Sequence, residues 1–74
     1  MNSSDELIKF LMNIQKYDFN RLTIVEEKYQ YEIIPAGYGS YDCKVYDGVN
    51  YKDTTFRNII TCVKEIGFEK VILE

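Results

Sequence analysis

The chain predicts an α+β fold in two layers: a small antiparallel sheet of three to five strands, with two amphipathic helices on one face, in the order α-β-β-β-β-α-β. Three observations predict it. Apolar residues recur at helical spacing near both ends, at positions 7, 10, 11, 14 and 17 and again at 56, 59, 60, 63 and 66. Between them the chain alternates with period two and favours β-branched and aromatic types. Pro, Gly and an Asp-Gly pair interrupt that stretch where turns belong. At 74 residues this makes one domain, 1–74, with one small core.

The first helix is expected over residues 4–16. Ser3 with Glu6 fits a capping box, and Leu7, Phe10, Leu11, Ile14 and Tyr17 form one stripe. Asp18 and Asn20 mark its exit. Residues 21–34 then read as β structure, either a hairpin turning at Glu26-Glu27-Lys28 or one long bent strand. Fourteen residues exceed the usual strand length, which favours the hairpin.

Pro35 to Ser40 combines Pro with two glycines and reads as the clearest loop. Tyr41, Cys43 and Val45 alternate with Asp42, Lys44 and Tyr46 as a half-buried strand. Asp47-Gly48 suits a type I′ hairpin turn, after which Val49 and Tyr51 continue on the return strand. Asp53 or Thr54 caps the second helix, with Phe56, Ile59, Ile60, Val63 and Ile66 as its stripe. Gly67 ends it, and Phe68, Val71, Ile72 and Leu73 suggest a terminal strand.

Composition narrows the chemistry. With two cysteines and no histidine, the chain cannot supply four thiolates or a mixed Cys/His set for a structural zinc, so no metal and no cofactor is expected. A cysteine nucleophile would lack its usual histidine base, and no catalytic residues are assigned. The Gly37-Tyr-Gly39 segment departs from a dinucleotide fingerprint, which wants a third glycine where Asp42 stands and a helix directly after. The expectation is a protein that is not an enzyme.

The charge balance is mildly acidic, nine basic against twelve acidic residues, and the basic residues are scattered singly. That disfavours sequence-independent nucleic-acid binding, which draws on clustered Lys and Arg. Lysines interleaved with the acids also argue against mimicry of a nucleic-acid backbone. The opening MNSSDELIKF carries no signal-peptide pattern and no apolar run approaches a membrane span, so a cytoplasmic location with reduced thiols and no membrane partner is expected.

Seven tyrosines are the most informative feature. Strand alternation cannot send all of them inward, so Tyr38, Tyr46 and one of Tyr29 and Tyr31 are expected to be at least half exposed. Tyrosine buries large area at low entropic cost and is enriched at protein interfaces. The expected partner-binding residues are Tyr38, Tyr46, Gly37, Gly39, Asp47 and Tyr29.

Nine Ile, seven Lys and five Asn against one Ala, one Pro and two Arg imply AT-rich coding. The whole profile resembles that of small accessory proteins of phages and other mobile elements of low-GC bacteria. That resemblance implies an interaction module that inhibits or regulates a host enzyme such as a defence nuclease, in the host cytoplasm. The alternatives are a nucleic-acid-binding regulator and a structural protomer that forms a homodimer through a sheet edge.

Overall fold

A computed structural model describes residues 3–74. Its elements are α1 (Ser4–Met12), a 3₁₀ turn (Ile14–Lys16), β1 (Leu22–Val25), β2 (Gln30–Gly37), β3 (Ser40–Tyr46), β4 (Tyr51–Asp53), α2 (Phe56–Glu65) and β5 (Lys70–Leu73). The five strands form one antiparallel sheet in the order β4-β3-β2-β1-β5. The α+β architecture and element order match the reading from sequence. No helix of the described residues is long and apolar enough to cross a membrane.

The core explains why both helices share one face. Leu22 and Ile24 of β1, Tyr31 and Ile33 of β2 and Cys43 of β3 are buried, and they are alternate residues in register across the sheet. They join Leu7, Phe10, Leu11 and Ile14 from the first helical segment and Ile59 and Val63 from α2 in one cluster. The other parity of each strand carries Lys70, Ile72, Thr23, Glu32, Lys44, Tyr46, Tyr51 and Asp53, and no helix packs there.

Local chemistry sets the element ends. The Ser3 hydroxyl accepts from the Glu6 N–H at 3.2 Å, as expected. The first α-helix stops at Met12, four residues earlier than its apolar spacing implies. Asn13 turns the chain, donating from its side chain to the Lys9 carbonyl at 2.9 Å, and a 3₁₀ turn then delivers Ile14 to the core. Tyr17, the last residue of the expected stripe, lies outside the helix and stacks on Phe10 at 4.5 Å between ring centroids.

α2 begins one or two residues later than expected. Thr55 is its cap, its hydroxyl accepting from the Asn58 N–H at 3.1 Å, because Thr54 still donates its N–H to the Cys43 carbonyl in the sheet. Gly67, at φ +94°, ends α2 by donating to the Val63 and Cys62 carbonyls. Ile66 is exposed rather than core-facing, since it is the capping residue beyond the last helical turn.

Of the three hairpins, the first forms as expected and the other two differ. Residues 21–34 do form a hairpin around Glu26-Glu27-Lys28-Tyr29, closed by the Glu26 N–H on the Tyr29 carbonyl at 2.9 Å. The expected loop 35–40 is mostly strand. Pro35 pairs with Tyr41 and Gly37 with Ser40 across a register shift, leaving only Tyr38-Gly39 as the turn. Proline is tolerated because β1 pairing stops at Ile33, so position 35 has no neighbour on the side its N–H would face.

Asp47-Gly48 is not a two-residue turn. Tyr46 pairs with Tyr51, so the connection has four residues, and Val49 is an exposed loop residue instead of a strand residue. The Asp47 carboxylate organises it by accepting from the Val49 and Asn50 N–H groups at 2.9 and 2.8 Å.

Ile24 of β1 sits in the middle of this one-sided core, between β2 and β5. Ile24→Ala is expected to cost about 2–5 kcal/mol, a large part of the stability of so small a domain, and a urea titration reads this directly. Asp47→Asn tests the loop. Its two N–H donors hold the Asp47 carboxyl below its ordinary value of 3.8. The folded-state pKa therefore lies below the unfolded one, so the charge stabilises the fold above the ordinary pKa. That advantage is lost as pH falls through the lower folded value. Thermal melts should show wild type above the Asn variant at neutral pH and the two converging in acid.

Candidate functional site

The six expected contact residues do not form one patch. Gly37, Tyr38 and Gly39 lie at the β2–β3 turn, whereas Tyr29, Tyr46 and Asp47 lie at the opposite end of the sheet, beside the β1–β2 and β3–β4 connections. Seven strand steps from Gln30 to Gly37 put roughly 23 Å between the ends.

At the β2–β3 end, Tyr38 and Gly39 occupy the two central turn positions with φ +54° and +75°, the pattern of a type I′ turn. Glycine and asparagine suit such positions, while a bulky L-residue held there is strained. The Ser40 hydroxyl secures the turn by donating to the Gly37 carbonyl at 2.7 Å. Tyr38 is fully exposed, so none of the strain is offset by burial of its ring.

Against this turn lies a mainly apolar groove of about 560 Å³, with Leu11, Met12, Ile14, Tyr41 and Phe56 on its apolar part and Asn13, Gln15 and Lys16 on its polar part. Its floor is continuous with an aromatic run. Phe19 stacks on Tyr41 with centroids 6.2 Å apart, and Tyr41 in turn lies 6.3 Å from Phe56. Met12 on the groove rim is largely exposed, at 68%. Gly39 approaches Gln15 closely enough that an added Cβ would stand 3.9 Å from the amide nitrogen, which seats the turn beside the 3₁₀ segment.

At the other end, Tyr46 and Tyr51 form a cross-strand pair on the uncovered face, rings 4.6 Å apart. Tyr46 is less exposed than expected because it is covered by Tyr51 and its hydroxyl donates to the Gly48 carbonyl at 2.9 Å. Tyr51, which sequence reasoning did not single out, is the more accessible of the two at 53%. Only the true length of the β3–β4 connection places it opposite Tyr46. Tyr29 is 40% exposed, short of half, and its N–H donates to the buried Glu26 carboxylate at 3.2 Å. Tyr31 is in the core, and burial beside Cys62 pushes its phenol well above the ordinary value.

The uncovered face between the two ends is a row of paired charges. Glu32 is buried there, with Arg21 3.6 Å away, and Arg21 reaches Glu74 at 2.6 Å. Lys44, the cross-strand neighbour of Glu32, bonds Asp53 at 3.0 Å. These partners raise the pKa of both Arg21 and Lys44. Alternation of sign along one row was invisible without the strand register.

Cys43 is buried, with its thiol pushed up by desolvation, and Cys62 is half-buried; both are free thiols. Among the described residues, no group of three or more Cys, Asp or Glu side chains is placed to hold a metal ion. Comparison with protein-family models, with curated proteins and with solved structures gives no match for this chain.

Tyr38→Gly and Tyr38→Asn relieve the positive-φ strain without touching the core. Each is expected to stabilise the domain by about 1 kcal/mol, seen as a higher urea midpoint with an unchanged slope.

Proposed function

We propose that this protein is a non-enzymatic interaction module that binds a protein partner through the Tyr38 turn and inhibits or regulates it. The observation that carries this reading is Tyr38 itself. A bulky aromatic is kept, fully exposed, in a backbone conformation that glycine or asparagine would occupy at lower cost. Such strain is tolerated where a side chain is presented for contact. A phenol ring on a tight two-residue turn is a rigid anchor with few rotatable bonds to immobilise. The adjoining groove, with Met12 on its rim and Phe56 in its wall, offers the partner an apolar seat beside the anchor.

A protein partner is favoured over nucleic acid because the two central cations of the uncovered face are already engaged. Arg21 and Lys44 each bond a carboxylate, so neither stands free to displace counterions from phosphate. The AT-rich coding implied by composition points to a phage or mobile-element origin in a low-GC bacterium, with a host enzyme such as a defence nuclease as the partner.

The test pairs affinity with stability. Wild-type protein and Tyr38→Gly, immobilised side by side, are exposed to a low-GC bacterial lysate. A host protein held by wild type should be lost at least about tenfold from the variant, the loss expected of an interface anchor, while the variant melts higher. Equal retention by the two would remove Tyr38 from the contact. Micromolar binding to DNA or RNA with a steep salt slope would replace the reading with a nucleic-acid one.

A further inference from the structure

The two outer strands of the sheet are defended unequally. β4 reads Tyr51-Lys52-Asp53, two charges in three residues, which suits an edge that must stay unpaired. β5 reads Lys70-Val71-Ile72-Leu73, three apolar residues in succession, with Ile72 and Leu73 42% and 52% exposed. An edge of that composition is a template for another strand.

Backbone geometry and charge fix which strand fits. Glu74 and Arg21 exchange both of their backbone hydrogen bonds, Glu74 N–H to Arg21 carbonyl at 2.9 Å and Arg21 N–H to Glu74 carbonyl at 3.4 Å. Bonding direction alternates along a strand, so Glu74 and Ile72 are turned toward β1, and the N–H and carbonyl groups of Val71 and Leu73 face outward. A second copy of β5, antiparallel and related by a two-fold axis, can satisfy them. We propose that the chain forms a two-fold dimer by β5–β5 pairing, with Ile72 opposite Ile72 of the second copy and the outward groups of Val71 and Leu73 bonding reciprocally.

In this register every cross-strand pair is complementary. On the uncovered face Lys70 stands opposite Glu74 of the other copy, twice by symmetry, around the central Ile72 pair. On the helix-covered face Val71 meets Leu73, again twice. Shifting by two residues either way keeps the hydrogen-bonding parity but sets Ile72 against Lys70 or against Glu74. Shifting by one pairs outward residues with inward ones and forfeits the bonds. The dimer joins two five-stranded sheets into one of ten strands.

This surface is separate from the Tyr38 turn, and its test stands apart from that reading. The contact is far smaller than a standard stable interface, so association belongs in the range from micromolar to about 1 mM. Sedimentation velocity over that range should show a monomer–dimer equilibrium for wild type, unchanged in Tyr38→Gly. Lys70→Glu and Glu74→Lys should each weaken dimerisation roughly tenfold or more, because two opposite-charge pairs become two like-charge pairs.

An equimolar mixture of these two variants restores complementarity at both positions and should recover the dimer as a mixed species. Leu73→Pro removes an outward N–H and none of the bonds to β1, so its circular dichroism should remain native while its dimer is lost. A wild type that stays monomeric throughout overturns the proposal. So does a dimer indifferent to Lys70→Glu and Leu73→Pro, or a mixture of the charge variants that fails to associate.

Discussion

Burial of a single sheet face governs the rest of this molecule. Leu22, Ile24, Tyr31, Ile33 and Cys43 present one continuous apolar surface, and the two helical segments cover it with Leu7, Phe10, Leu11, Ile14, Ile59 and Val63. A chain of 74 residues has enough apolar side chain for one such layer and not for a second. The opposite face must therefore live in water, and its composition follows. Acid and base alternate across Glu74, Arg21, Glu32, Lys44 and Asp53, so long side chains lie along the sheet and shield the strands beneath them. Thr23 and Glu32 are buried on this side by neighbouring side chains, with no helix above them.

The same constraint makes the turns costly to misuse. A small core leaves a thin margin of stability, and each connection here is secured by its own hydrogen bonds. The Glu26 carboxylate closes one, the Asp47 carboxylate another and the Ser40 hydroxyl the third. Against that background of local economy the backbone strain at Tyr38 is out of character, since nothing inside the domain benefits from a phenol ring there. The opposite end shows how tyrosines behave when they serve the fold. Tyr46 stacks on Tyr51 and bonds Gly48, and its exposure falls accordingly.

Two outward-looking features thus occupy different places: the Tyr38 turn with its groove, and the free edge of β5. The first is a protruding side chain beside apolar walls, suited to a partner with its own surface relief. The second is a row of main-chain groups, suited to a strand. Neither overlaps the other, so the proposed β5–β5 dimer would leave the tyrosine turn accessible in both copies. Symmetry would set two such turns on one continuous sheet, and two weak contacts held together bind more tightly than either alone.

Local pattern in the chain specified the fold class, the element order, the Ser3 and Gly67 helix ends and both apolar stripes except their last residues, Tyr17 and Ile66, because periodicity and capping are local properties. It also marked Tyr38 for exposure, since a tyrosine between two glycines has little to pack against. Which tyrosines stand together was decided by tertiary structure. The β3–β4 connection takes four residues where Asp47-Gly48 alone implied two, and that places Tyr51 beside Tyr46 on the uncovered face. The strand character of Pro35 and the separation of the six contact residues to opposite ends have the same origin. Strand register is fixed by pairing between residues distant in sequence, and no local pattern carries that information.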